Sequence, residues 1–226
     1  TMKKIILAIL VPLLLASCAQ NITRGEQYAK MYEEKPTSIV IMPPINQTQH
    51  VEAKDYFYTT MYMPLCEKGY YVFSPLLTME IFQSESAYDA ELYIDADLSK
   101  FHEVLGADAA MFTTIKSWKR NNLGGQITVG VEYTLRSTKT GETLYHREGL
   151  IKVDTSINAS GAGLLGSLIS MAATAINTAA TDKVVAGRKC TAFVLSDIPA
   201  GKYNTAMFGN DMNQPAGKSY IKATVK

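Results

Sequence analysis

Neither sign of charge dominates this sequence. Its 22 lysines and arginines are matched by 21 aspartates and glutamates, for a formal charge of +1. No basic stripe gathers the cations. Neutralising phosphates takes clustered Lys and Arg, so the expected partners do not include nucleic acid. Histidine is scarce as well. His50, His102 and His146 fall in a loop, a helix and a strand, and no pair has the spacing of metal ligands. No G-x-S-x-G elbow is present to anchor a hydrolase triad. Glu33-Glu34 and the Asp95/Asp97 pair read as solvated, with Asp97 capping the helix that follows. No catalytic residue, metal or cofactor is assigned.

What is present begins at the N-terminus. Lys3-Lys4 precede an apolar run from Ile5 to Leu15, too short for a stable span, which takes about 20 residues. The run ends in Leu15-Ala16-Ser17-Cys18, which reads as the lipobox of a bacterial lipoprotein signal peptide. Small residues at Ala16 and Ser17 admit a peptidase to the bond before Cys18, whose thiol and freed amine then carry acyl chains. Several chains anchor far more firmly than one. An ordinary secretory signal with a chance cysteine is the alternative. Ala19, where an Asp would often cause inner-membrane retention, favours the outer membrane. No acidic run follows Cys18 to argue for export, so the expected site is the periplasmic face.

Residues 1–17 are then the signal peptide and 18–36 a lipidated tether with one short helix from Arg24 to Glu34. An α/β domain follows over 37–198, then an irregular tail over 199–226. The signal peptide carries two lysines and no acid, so cleavage moves the formal charge from +1 to −1. Cys66 and Cys190 remain besides Cys18. They are either a disulfide, which the oxidising envelope permits, or two free cysteines in apolar surroundings.

Ser38 to Met42 is a strand with an unbroken apolar run, stopped by Pro43-Pro44, as suits a buried, partly parallel sheet. Asp55 to Lys68 has helical spacing through Phe57, Met61 and Leu65, with Gly69 as C-cap. Pro64 inside it should kink or split the helix. Tyr70 to Phe73 is a strand, and Pro75 opens a helix over Leu76 to Gln83. Phe101 and Leu105 mark a helix closed by Gly106, and Ala109 to Trp118 is a third strand. From Gln126 to Arg136 the alternation is strict: Ile127, Val129, Val131, Tyr133 and Leu135 face one way, polar residues the other. With Leu144 to Val153 this completes an antiparallel meander. The expected fold is a single α/β sandwich with a mixed sheet, two β-α steps and then the meander, plus C-terminal helices. Tyr56, Phe57, Tyr58, Tyr62, Tyr70 and Tyr71 cluster around the first helix and read mainly as core.

Ser156 to Thr181 contains no charge. Its Ser, Thr, Asn and Gly content argues against a membrane span and for an amphipathic helix. Its polar side carries only small hydroxyls and an amide. Gly163, Ser167, Ser170, Thr174, Asn177 and Thr178 form a candidate interface where a second backbone approaches closely. Cover by the chain's own tail is the alternative. Gly161, Gly163 and Gly166 match G-x-G-x-x-G, but the strand before them ends a meander rather than opening a βαβ unit, so flexibility is the better reading than a dinucleotide.

Several segments together resemble a known family. They are Ile39-Val40-Ile41-Met42-Pro43-Pro44-Ile45-Asn46, Met63-Pro64-Leu65, Glu67-Lys68-Gly69-Tyr70-Tyr71-Val72 and Leu105-Gly106-Ala107-Asp108-Ala109. From about Thr37 to Pro199 the chain resembles the uncharacterised bacterial lipoproteins that include the genome-derived neisserial antigen lipoproteins. The architecture is also similar to the N-terminal domain of TolB and the periplasmic domain of the curli-secretion lipoprotein CsgG. The resemblance implies a membrane-anchored accessory subunit of an envelope transport or secretion assembly, with a CsgG-like lipoprotein and a small accessory lipoprotein as partners. It carries over no catalytic residue. A homo-oligomer is a further option. The alternative is a tethered enzyme or small-ligand-binding protein, which would require a deep pocket with converging polar groups.

Overall fold

The computed structural model describes residues 22–85, 88–121, 126–154 and 183–225. The chain opens with two short helices, α1 (Arg24–Gln27) and α2 (Ala29–Glu34), then strands β1 (Ser38–Ile41) and β2 (Ile45–Asn46). Helices α3 (Ala53–Thr60) and α4 (Tyr62–Glu67) lead to β3 (Tyr71–Val72), followed by α5 (Pro75–Ser84) and α6 (Ser99–Leu105). Three long strands come next, β4 (Ala109–Asn121), β5 (Gln126–Ser137) and β6 (Thr143–Asp154), and then α7 (Lys183–Val194) and β7 (Tyr220–Val225). The described strands form one mixed sheet in the order β3-β1-β4-β5-β6-β7, with β2 beside β4. The β4-β5-β6 meander is antiparallel and the other pairings are parallel. This is the mixed α/β architecture that the strand and helix spacing implies. Among the described residues no helix is long and apolar enough to cross a membrane.

The unbroken apolar run of β1 has a direct cause. Ile39 and Ile41 enter a large core under α3, α4 and α7, while Val40 and Met42 enter a smaller one under α5 and α6. The parallel end of the sheet is therefore covered on both faces. The meander is packed mainly on one, which is why β5 alternates: Ile127, Val129, Val131, Tyr133 and Leu135 are all buried, and Thr128, Glu132, Thr134 and Arg136 are half-buried. On the open face Glu132 and Glu148 stand directly opposite one another. A bulge in β4 turns Lys116 toward both, at 2.9 and 3.1 Å, and so offsets their repulsion. Under the sheet, α3 and α7 meet at Gly187. Thr60, Thr191 and the Tyr133 hydroxyl form a hydrogen-bonded chain there, with links of 3.0 and 2.7 Å.

Pro64 does split its helix, and the break falls at Met61. Proline has no N–H for the Thr60 carbonyl four residues back, and its ring crowds that carbonyl, so α3 stops at Thr60. Pro75 sits in the first turn of α5, Gly106 closes α6 with φ +70°, and Asp97 accepts the Ser99 amide at 3.0 Å. Of the aromatic group, Phe57, Tyr58 and Tyr70 are buried, whereas Tyr62 and Tyr71 are exposed.

The ends of the chain correct two expectations. The segment expected as a tether is part of the fold from Thr23 onward. It forms two helices rather than one, interrupted at Tyr28, whose ring is buried 5.1 Å from that of Tyr145. Nor is the tail irregular throughout, since Tyr220–Val225 joins the sheet beside β6. Its Ile221, Ala223 and Val225 pack on the larger core, which is the physical reason it is held.

Asp108 splints the loop before β4 to the start of β1. Its Oδ2 accepts the Thr37 and Ser38 amides at 2.9 and 3.1 Å, and its Oδ1 meets Lys139 at 2.7 Å. Partial burial disfavours its charge, but Lys139 and the two amides outweigh this and hold its pKa below the ordinary carboxylate value. A lowered folded-state pKa contributes stability at neutral pH that disappears as pH falls through the carboxylate range. Asp108→Asn is expected to cost about 1–2 kcal/mol at pH 7. Urea titrations of both proteins at pH 7 and pH 3 should show that difference shrinking in acid.

Candidate functional site

The densest polar constellation lies where the two ends of the chain meet. Thr23 caps α1 through a capping box with Glu26. This sends Arg24 inward to Asp197 at 3.1 Å and Asp211 at 3.4 Å. Both carboxylates are buried. Asp197 Oδ2 accepts the Tyr28 hydroxyl at 2.6 Å and the Gly217 amide at 2.7 Å. Asp211 accepts the Tyr32 hydroxyl at 3.0 Å and the Ala200 amide at 2.9 Å. Burial, followed by these bonds to the aspartates, pushes both tyrosine hydroxyls well above the usual phenol range. Arg147, also buried, donates to the carbonyls of Val194 at 2.9 Å and Lys218 at 3.0 Å. Lys68 donates to the Ser196 carbonyl, and burial, then Arg24, lowers its pKa.

All four oxygens of Asp197 and Asp211 are therefore engaged by donors within the chain. In the fold this cluster is a fastening. It pins α1 and α2 to the segment after α7. Neither carboxylate has a local sequence signature, and sequence reasoning missed both.

Three concavities border the described residues. One of about 220 Å³ lies beside α2, among Met31, Tyr32, Pro36, Tyr70, Phe208 and Met212. That is below the roughly 300–1,000 Å³ of small-molecule sites. A groove of about 330 Å³ runs between α5 and α6, with Ile81, Phe82, Phe101 and Val104 in its walls. A shallow depression of about 510 Å³ lies at the junction of the chain ends, between Ile22 and Tyr220. Among the described residues no group of His, Cys, Asp or Glu is placed to hold a metal ion.

The residues singled out in the sequence fare differently. Cys18 lies outside the described residues, as do Gly161, Gly163, Gly166, Ser167, Ser170, Thr174, Asn177 and Thr178. Cys66 and Cys190 are described and are not joined. Cys66 is half-buried on α4, one turn from Tyr62, and burial raises its thiol pKa. Cys190 is buried in the larger core on α7, where burial pushes its thiol pKa to about 12.

The open flank of α5 and α6 is the other conspicuous surface. Leu76 and Leu77 are 72 and 60 % exposed and Val104 is 76 % exposed, with Ile81 and Leu92 exposed as well. Leu77 and Ile81 are four apart and share a helix face, and Ile81 and Val104 both line the groove. The sequence shows these as apolar residues at helical spacing, which cannot tell an inward stripe from an outward one.

The family profile described as "Putative lipoprotein GNA1162-like" matches residues 26–203. "Putative lipoprotein NMB1124/NMB1162" of Neisseria meningitidis serogroup B is 28 % identical over 196 residues, covering 86 % of this chain and 90 % of the relative. The crystal structure of lipoprotein GNA1162 from Neisseria meningitidis aligns at 26 % identity and a TM-score of 0.49, over 65 % of this chain and 100 % of that one. The PelC dodecamer from Paraburkholderia phytofirmans aligns at 15 % identity and a TM-score of 0.35, over 68 % and 88 %. On the profile match over most of its length, the chain belongs to the GNA1162-like lipoprotein family.

Proposed function

We propose that this protein is an outer-membrane-anchored, periplasm-facing lipoprotein that serves as a non-catalytic accessory subunit of an envelope transport or secretion assembly. Acylated Cys18 supplies the anchor, and the partners are other envelope lipoproteins, a CsgG-like protein and a small accessory protein among them. The observation that carries the reading is the apolar flank of Leu77, Ile81 and Val104 on α5 and α6. Contiguous apolar surface of this kind marks contact with another macromolecule. The donors gathered on Asp197 and Asp211 support the same reading, because they commit this polar cluster to holding the chain's two ends together.

The test is crosslinking of the full acylated chain in mild detergent. Wild-type protein is expected to return with other lipoproteins. The double variant Leu77→Glu, Val104→Glu should lose most of that yield, while its thermal midpoint stays near wild type, because positions this exposed are worth about 0.5 kcal/mol or less. If only monomer returns from the wild type, the assembly reading is overturned.

A further inference from the structure

We infer that the shallow depression bounded by Ile22, Gln27, Gly217, Lys218, Ser219 and Tyr220 rests directly on the phospholipid headgroups of the anchoring membrane. The inference rests on acylation of Cys18. Its force comes from where the fold begins. From Ile22 onward the backbone is stitched to the body. The Ala216 amide donates to the Ile22 carbonyl at 2.8 Å, the Arg24 amide to Gln214 at 2.8 Å and the Gly25 amide to Met212 at 2.9 Å. Thr23 and Pro215 form an antiparallel bridge, and Arg24 is held by Asp197 and Asp211. Only four residue steps separate Ile22 from Cys18. Even fully extended, they reach at most about 14 Å.

A bilayer's polar layer is about 5–8 Å deep on each side of the hydrocarbon. An acylated cysteine sits at the inner boundary of that layer, so Ile22 lies within or just above the headgroups. The domain is seated on the membrane, where a long tether would have lifted it away. Whatever surrounds Ile22 is carried down with it.

What surrounds it suits that position. Ile22 is 56 % exposed and Tyr220 50 % exposed, and Lys218 is exposed between them in the chain. An aliphatic side chain, an aromatic ring with a hydroxyl and a long cationic stem are the residue types that settle at a lipid interface. Glu26, the exposed carboxylate on α1, is turned back onto Thr23, accepting its amide at 2.8 Å and its hydroxyl at 2.9 Å. The concavity, about 510 Å³ and wide open, has the shape for headgroups to enter from outside. The apolar flank of α5 and α6 is a separate surface, and none of its residues borders this one.

The experiment uses the full acylated chain carrying Tyr220→Trp, in vesicles of phosphatidylethanolamine and phosphatidylglycerol with or without lipids brominated near the headgroup. Trp118 is buried, so it provides an unquenched reference in the wild type. The added emission at position 220 is expected to lose most of its intensity with brominated lipid. Insertion of a long Gly-Ser linker between Cys18 and Ile22 should restore much of it. Flotation of the vesicles separates the two ways of failing. Protein that does not float overturns the anchor and this surface with it. Protein that floats with position 220 unquenched overturns the surface alone, and the depression then faces water or another protein. Failure of the linker to change the quenching overturns the argument from reach.

Discussion

Replacing Asp197 by alanine is expected to lower the free energy of unfolding by about 3–5 kcal/mol, the range for breaking a buried ion pair by removing one partner. The loss does not come from one bond. Arg24 loses its 3.1 Å contact, and the Tyr28 hydroxyl and Gly217 amide lose their acceptor. Arg24 would keep only Asp211, at 3.4 Å. Leaving buried donors without partners is the costly direction of the change. Asp197→Asn keeps the shape but removes the charge and places an NH₂ where an acceptor is needed, so it should recover only part of the loss. Urea unfolding measures the difference. A cost below about 1 kcal/mol, the worth of an exposed pair, would show that water already reaches this carboxylate. Limited trypsin digestion gives a second readout, because Arg24 and Lys30 should become cleavable in the variant before the rest of the chain unfolds.

Gly69→Ala is expected to be comparably damaging for an unrelated reason. Gly69 has φ +91°, a conformation that costs other residues about 1–3 kcal/mol. A methyl group there would also lie 2.3 Å from the backbone nitrogen of Asn204 and 2.9 Å from the Gly201 carbonyl oxygen. Both are main-chain atoms, held because the Tyr203 amide donates to Gly69 at 2.9 Å and the Gly201 amide to Lys68 at 2.8 Å. Relieving the overlap means separating two hydrogen-bonded segments, which adds about 1–3 kcal/mol. Gly201→Ala isolates this second part. Gly201 has no positive φ, but its added carbon would stand 2.4 Å from the Gly69 carbonyl oxygen. The thermal midpoint of Gly69→Ala should therefore fall further than that of Gly201→Ala. Equal shifts would assign the whole effect to packing.

Gly69 also shows how far sequence reasoning reaches. That a glycine ends the helix after Lys68 follows from local rules. That the same glycine admits a second segment, 135 residues away at Asn204, does not, because no local pattern encodes the approach. The central fold was legible for the converse reason. The alternation of β5, the apolar run of β1 and the proline in the first long helix each state a local requirement, and the sheet satisfies them. At the ends the signal was weaker but real. Ile221, Ala223 and Val225 alternate with Tyr220, Lys222 and Thr224, a strand pattern masked by the Gly, Asn and Lys around it. Asp197 and Asp211 carried no cue, since an acid in a polar stretch reads as solvated until a distant arginine is brought to it. The apolar flank of α5 and α6 was half legible: spacing marks an apolar face, and only the packed structure shows which part of it the core leaves over.

The fastening of Arg24 to Asp197 and Asp211 has a consequence for the order in which the molecule is made. The residues it joins are 173 and 187 positions apart. Contacts of such separation carry a large loop-closure entropy and form after the local ones. Synthesis from the N-terminus delivers Arg24 early, and it must wait for its carboxylates until almost all of the polypeptide has emerged. The segment that carries Arg24 is thus the first to arrive and the last to lock. On the proposed anchoring at Cys18, that interval overlaps cleavage and acylation of the neighbouring cysteine, and arrival of the tail completes the fastening.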